Sequence, residues 1–300
     1  MTTRPIWEEK PTIAGQTSKT AVITVVLAII IVPIYSVVLT SFSTQTSVNI
    51  AGGLVLVPHG LTTAAYEQIF SNQLVMHSLL VSFGITIIGT AISMVVSVLC
   101  AYGLSRSRSF GHRFILMLLI VTMFFSGGLI PSFLVVAALG GYGSYWSLIL
   151  PSAVSVFNIL VLRAFFSSTA QELIDASKID GAGDWRTLWA IVLPTSRPVL
   201  AVIALFYAVG YWNTFFNALL YLPDNEMWPL QMVIYTYTLQ GNAMPGTGVT
   251  QTGQYFGHQA VAPLSIQMAV VTLTLIPILL VYPFVQRHFT KGILLGAIKG

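Results

Sequence analysis

The residues best suited to chemistry in this chain lie together. The stretch ELIDASKIDGAGDWR holds Glu172, Asp175, Lys178, Asp180, Asp184 and Arg186, in a protein whose charged residues make up only 7% of 300. Glu172 and Asp175 stand three apart, so on a helix they share a face and can meet basic groups of a partner, with Ala176 allowing close approach. Gly181-Ala182-Gly183-Asp184 also matches the Gly-x-Gly-Asp of intramembrane aspartyl proteases. That chemistry needs a second carboxylate facing the first inside the membrane, and all nine acidic residues fall in tails or loops between the apolar runs. The single cysteine, Cys100, lies within an apolar run and forms no metal set. The chain contains no G-x-x-x-x-G-K-[ST] loop and so cannot hold ATP in that mode. The cluster therefore reads as a surface to be gripped, with no catalytic residue and no cofactor or metal of its own.

What positions it is a membrane bundle. Apolar residues are 55% of the chain and mean hydropathy is +0.83, against roughly 25% charged residues in globular proteins. Residues 20–66, 78–105, 114–162, 198–223 and 259–286 carry no Asp, Glu, Lys or Arg. About 20 apolar residues cross a bilayer as a helix, and the run 114–162 holds two crossings around the turn Leu139–Trp146. Six spans follow, near 20–43, 78–104, 114–138, 146–166, 197–221 and 263–286. The runs lack the alternation of barrel strands, so the fold class is all-α. The stretch 21–39 is too long for a signal-peptide core, so it reads as the first span.

The basic residues orient the bundle. With six spans, Arg4, Lys10, Lys19, Arg106, Arg108, Arg113, Arg163, Lys178, Arg186, Arg197, Arg287, Lys291 and Lys299 all fall on one side, and these are all thirteen. The positive-inside rule puts that side, with both termini, in the cytoplasm. The same distribution accounts for the mild positive charge without any nucleic acid. The expected organisation is a cytoplasmic tail over 1–19, a six-helix body over 20–286 and a cytoplasmic tail over 287–300. Loops 44–77 and 222–262 face outward, and the charged segment 168–195 faces inward.

That segment is far longer than the ~2–8 residues of a plain connector. Thr169 to Glu172 reads as a capping box that starts a helix near Ala170, and Gly181 reads as its end. Asp184 is expected to cap a second helix, in which Trp185, Leu188, Trp189 and Val192 form one apolar stripe along the membrane. Asp175-Ala176-Ser177, three residues, Gly181, nine residues and Ile191-Val192-Leu193-Pro194 resemble the EAA signature of bacterial ABC importer permeases. The stretch IDGAGDWRTLWAIVLPTSRP resembles the maltose-type, oligosaccharide-importing branch. LTTAAYEQIF (Leu61–Phe70), YWNTFFNALLY (Tyr211–Tyr221) and the terminal FTKGILLGAIKG extend the resemblance over nearly all the chain after residue 20. Aspartate stands at 175 where the family has glutamate, serine at 177 where it has alanine, and histidine at 77 where it usually has asparagine.

The resemblance implies a type I ABC importer fold in a bacterial cytoplasmic membrane. It implies that Glu172, Asp175, Ala176, Ser177, Gly181 and Asp184 belong to a coupling helix and its elbow, docked in an ATPase. It also implies the partners: a second homologous permease, a dimeric ABC ATPase that binds ATP and Mg, and an extracytoplasmic binding protein that delivers sugar. Outer loop 222–262 either receives that protein or caps the bundle, and its segment MWPLQMVIYTYTLQ suits a short interfacial helix. In span five, Phe206, Gly210, Asn213 and Asn217 fall on one helical stripe beside Tyr207, Tyr211 and Thr214. That stripe either faces sugar in a cavity or bonds neighbouring helices. An ion-coupled secondary transporter of a small polar solute is the competing class, but such carriers usually place Asp, Glu or His inside the membrane as a relay, and here the nine acidic residues and five histidines fall in tails, loops or at span ends. A membrane sensor would need a soluble domain that is not evident.

Overall fold

The computed structural model describes residues 12–106, 111–125, 127–168, 171–236 and 263–297. All regular elements among them are helical. The chain divides into two compact units, Met1–Ile69 with Thr252–Thr272, and Phe70–Gln251 with Leu273–Gly300.

In the first unit, α1 (Ile13–Ser41) starts behind a Thr12 N-cap, seven residues before the expected span. It is exposed from Ile13 to Tyr35 and buried only where Ser36, Thr40 and Ser41 begin. A helix apolar on every side suits lipid or another membrane helix as its surroundings. Beyond it, the segment that follows α1 folds into two short helices, α2 (Gln45–Ala51) and α3 (Ala64–Ser71). Thr40 Oγ1 accepts from the Val55 amide at 2.8 Å and Ser265 Oγ donates to the Ser43 carbonyl at 2.9 Å, both buried.

The second unit holds the bundle. Asn72 caps α4 (Gln73–Ser105) by accepting from the Leu74 and Val75 amides, which starts this helix five residues before the expected span. Next come α5 (His112–Phe124) and α6 (Leu129–Ala138), then α7 (Trp146–Ile149), which passes through a tight turn at Leu150–Ser152 into α8 (Val156–Ser168). The charged segment forms α9 (Gln171–Ile179) and α10 (Asp184–Thr187), then a π-turn at Leu188–Val192 and α11 (Leu193–Thr195). After it run α12 (Arg197–Trp212), α13 (Phe216–Tyr221), α14 (Leu230–Ile234) and α15 (Pro263–Ala297), the last contributing residues 263–272 to the first unit.

Among the described residues, three helices are long and apolar enough to cross a membrane alone: Ile13–Ser41, Gln73–Ser105 and Pro263–Val281. Bent pairs supply up to three more crossings. The third expected span is broken between Phe124 and Leu129, the fourth bends by 49°, and the charged segment meets the start of the fifth at an 84° bend between Thr195 and Arg197. The fifth also ends early. At its C-terminus Asn213 Nδ2 donates to the Val209 carbonyl at 2.8 Å, and the Phe215 amide turns back to the Asn213 carbonyl at 2.9 Å. An asparagine side chain that competes for backbone partners breaks a helix in this way. The single stripe expected across Phe206 to Asn217 is therefore split between α12 and α13.

The core centres on α4, α8 and α12, where Ile159, Leu162, Leu188 and Ile203 are fully buried. The buried face of α4 reads Ser78, Ser82, Ile85, Gly89, Ser93, Ser97, Ala101. Small residues at four-residue spacing let helix backbones approach in a membrane, where apolar burial does not drive association. The segment around Met227 is not the interfacial helix expected: Leu230, Met232 and Val233 are buried, and the Leu230 amide donates to Ser82 Oγ at 2.8 Å. The run GTGVTQTGQ beyond it lies outside the described residues.

Candidate functional site

The charged segment is a hairpin of two short helices. Gly181 has φ +75°, its amide donates to the Lys178 carbonyl at 3.0 Å, and the Ala182 amide donates to the Ser177 carbonyl at 2.8 Å. This pair of bonds is the Schellman closure, which needs a left-handed residue that glycine adopts without strain. Thr169 and Ala170 of the expected capping box lie outside the described residues, as does the Glu172 side chain. Asp184 does not cap: it is the first helical residue, Gly183 holds the N-cap position, and no side-chain bond closes that end. Its carboxylate still sits favourably at the positive end of the helix dipole.

Asp175, Ala176 and Lys178 are exposed and can be reached by a partner. Ser177 cannot. It is 8% exposed, donating to the Ile174 carbonyl at 2.7 Å and lying 3.3 Å from Thr187 Oγ1, so it joins the two helices from inside. The expected apolar stripe divides for a related reason: the π-turn resets the helical phase. Leu188 and Val192 enter the core at 2% and 1% exposure, while Trp185 and Trp189 stay about two-thirds exposed.

A second candidate lies inside the bundle, where a hollow of ≈ 230 Å³ separates the α7–α8 bend from α12. Ser152, Ser155 and Asn158 line one wall, and Phe206, Tyr207, Gly210 and Tyr211 the other, with Thr214 beyond. The tyrosine hydroxyls are already engaged. Tyr207 Oη lies 2.7 Å from Ser97 Oγ and accepts from the Ser155 amide at 3.1 Å. Tyr211 Oη lies 2.8 Å from Ser93 Oγ and donates to the Ile149 carbonyl at 3.1 Å, which leaves the Ser93 hydroxyl as donor in that pair. Both rings thus fasten α12 to α4 while turning a flank to the hollow.

Asn213 and Asn217 do not line the hollow. Asn213 Oδ1 also accepts from Gln231 Nε2 at 3.4 Å, so its amide closes the helix break. Asn158, 5% exposed, is the amide that faces the hollow in their place. Only its position after the Pro151 bend could have marked it. A larger hollow of ≈ 490 Å³ adjoins the other face of α12, between Phe83, Ile87, Trp212 and Pro277. Its walls are almost wholly apolar, which suits hydrocarbon better than a polyhydroxylated solute.

Long apolar helices, a polar hollow among them and an exposed hairpin of short helices together make a membrane permease. Residues 80–294 match the binding-protein-dependent transport system inner membrane components, and the chain belongs to that family. It is 44% identical to the polygalacturonan/rhamnogalacturonan transport system permease protein YtcP of Bacillus subtilis, over 91% of this chain and 93% of that protein. Protein LplC of the same organism is 41% identical over 91% of this chain and 90% of its own length. Among solved structures, a bacterial ABC transporter involved in the import of the acidic polysaccharide alginate is similar, with TM-score 0.85 and 27% identity, covering 95% of this chain and 100% of the other. The resemblance drawn from Asp175 to Pro194 is thereby borne out, and the ion-coupled carrier reading is not favoured.

Proposed function

We propose that the chain is one of two permease subunits of an ATP-driven importer that carries an oligosaccharide across a bacterial cytoplasmic membrane. Galacturonan fragments are the first class to test, on the strength of the 44% identical relative. The observation that carries the sugar reading is the hollow beside α12, whose walls combine aromatic flanks with hydroxyls and the Asn158 amide. Aromatic faces stack on the apolar faces of sugar rings, and amides bond their hydroxyls. Arg163 is engaged by the Leu104 carbonyl and no basic residue lines the hollow, so a uronate carboxylate must be neutralised by the second permease or by solvent. Uptake of labelled galacturonate, alginate and arabinose oligosaccharides in cells lacking this chain tests the reading. Loss of one of these activities, restored by the gene, is expected; unchanged uptake of all three would count against it.

In this reading the six crossings leave both termini, the tails 1–19 and 287–300 and the segment 168–195 in the cytoplasm. The basic-residue distribution and the three long helices with three bent pairs support it. A pair of ATPase subunits binds ATP and Mg and docks against Asp175, Ala176 and the Gly181 elbow, with Glu172 and Asp184 beside them. A sugar-loaded binding protein meets loops 44–77 and 222–262 on the other side. ATPase closure shifts the coupling segment, and the bundle turns its cavity from one side of the membrane to the other. The topology is directly measurable. In a Cys100→Ala background, Asn225→Cys should react with an impermeant maleimide in intact cells, and Lys178→Cys only after the membrane is opened. The reverse pattern would refute the orientation.

The cavity reading separates Asn158 from Asn213. Asn158→Leu should leave the complex assembled and raise half-saturation for the sugar about 3- to 10-fold, the effect of one lost hydrogen bond. Asn213→Leu should change half-saturation less than twofold. Equal effects, or loss of assembly with Asn158→Leu, would return the hollow to packing.

A further inference from the structure

The coupling hairpin is fastened to one helix end on both its flanks. On the entering side, Arg163 of α8 donates from Nε to the Leu104 carbonyl at 2.9 Å. Leu104 is in the last turn of α4, where helix carbonyls lack intrahelical partners and a cation meets the negative end of the dipole. On the leaving side, Tyr102 of the same turn donates its hydroxyl to the Asp184 carbonyl at 3.1 Å, at the start of α10. The direction of that bond is fixed by chemistry: Arg106 Nη2 lies 2.8 Å from the same hydroxyl, and arginine only donates. The hydroxyl therefore accepts from Arg106 and donates to the carbonyl. The Arg106 guanidinium also sits 5.0 Å from the Tyr102 ring centroid, holding the ring in place and polarising its O–H.

Between these two ties lie α9 and the Gly181 elbow, and the Ser177–Thr187 contact closes the hairpin just past the second tie. Further along α4, Ser97 and Ser93 are tied to Tyr207 and Tyr211, which flank the hollow. A continuous path thus runs from the hairpin, through the Tyr102 hydroxyl, along α4 to the cavity wall.

We propose that Tyr102 is a positioning residue for coupling: its hydroxyl links the hairpin's second helix to α4, so that displacement of the hairpin moves α4 and α12 together. The proposal rests on the reading of 168–195 as the ATPase-docking segment. Tyr102→Phe removes one oxygen and keeps the ring under Arg106, which makes it the informative change. The test uses the intact complex purified from its own host, reconstituted in liposomes with its binding protein and a galacturonate oligosaccharide mixture as probe. Basal ATP hydrolysis and complex yield should match the wild type, while stimulation by loaded binding protein falls about 3- to 10-fold. Sugar moved per ATP should fall as well, a quantity that a merely structural contact would not change. Arg106→Leu, which leaves the hydroxyl but not its polarising partner, should give a smaller loss of about twofold.

Gly181→Val serves as the control for the underlying reading. If Tyr102→Phe keeps full stimulation while Gly181→Val loses it, the Tyr102 link is overturned and the docking segment stands. If both keep full stimulation, the docking reading falls and takes the link with it. If Tyr102→Phe lowers complex yield or basal hydrolysis together with stimulation, the residue is structural and the proposal is wrong.

Discussion

Replacing Gly89 by leucine is expected to leave almost no assembled transporter in the membrane. A Cβ at this position of α4 would sit 2.8 Å from Cζ and 2.9 Å from both Cε atoms of Tyr211. Real side-chain carbons do not approach so closely, so either the ring or the helix must move. The ring is held by the Ser93 hydroxyl at 2.8 Å and the Ile149 carbonyl at 3.1 Å, and moving it strands both groups in a buried site. Gly89→Ala alone should cost about 1–3 kcal/mol by overpacking, seen as a lower melting temperature of the detergent-solubilised complex. Leucine adds three more carbons to the same gap. A suppressor makes the cause specific: Gly89→Ala combined with Tyr211→Leu removes the obstructing ring and should recover part of the lost yield. Normal yield of Gly89→Leu would show that α4 and α12 do not pack as described.

Gly181→Val should abolish uptake while the protein still reaches the membrane. No atom lies within 4 Å of a Cβ built on Gly181, so the penalty is one of backbone conformation and not of space. At φ +75° an ordinary L-residue is strained by about 1–2 kcal/mol, and a β-branched one by more. The elbow relieves that strain by opening, which breaks the Schellman bonds and re-aims α9 relative to α10. A graded series follows from the same cause. Asparagine, which visits the left-handed region most readily, should retain most uptake, alanine less and valine none. Uptake assays with quantified membrane levels would show this order. Equal activity across the series would mean that the hairpin's geometry is irrelevant to transport.

How much of this was legible in the sequence depends on what each residue answers to. Charge-free runs locate apolar helices because the hydrocarbon core excludes charge over a fixed thickness. They say nothing of breaks inside a run, such as those between Phe124 and Leu129 and after Trp212. Gly127-Gly128 and Asn213-Thr214 were the local signals available. Gly181 was readable because its role is conformational and local. Ser177 stands beside Asp175 in the sequence, but its burial depends on Thr187 across the elbow, which adjacency does not reveal. The hydroxyl pairs of Ser93 with Tyr211 and Ser97 with Tyr207 join residues more than a hundred positions apart. Only the four-residue spacing of Gly89, Ser93, Ser97 and Ala101 hinted that α4 has a close neighbour. Of the stripe expected in span five, Tyr207 and Tyr211 flank the hollow, while Asn213 closes a helix end and Asn158 is the amide among the lining residues.

The central claim is that this chain moves sugar inward with energy from a partner's ATP hydrolysis. It is tested most directly by reconstituting the purified complex in liposomes with the binding protein and labelled galacturonate oligosaccharide on one side and ATP on the other. Sugar should accumulate only when ATP and binding protein are both present, and a protonophore or sodium ionophore should leave the rate unchanged. Accumulation without ATP that collapses when an ion gradient is dissipated would contradict the claim.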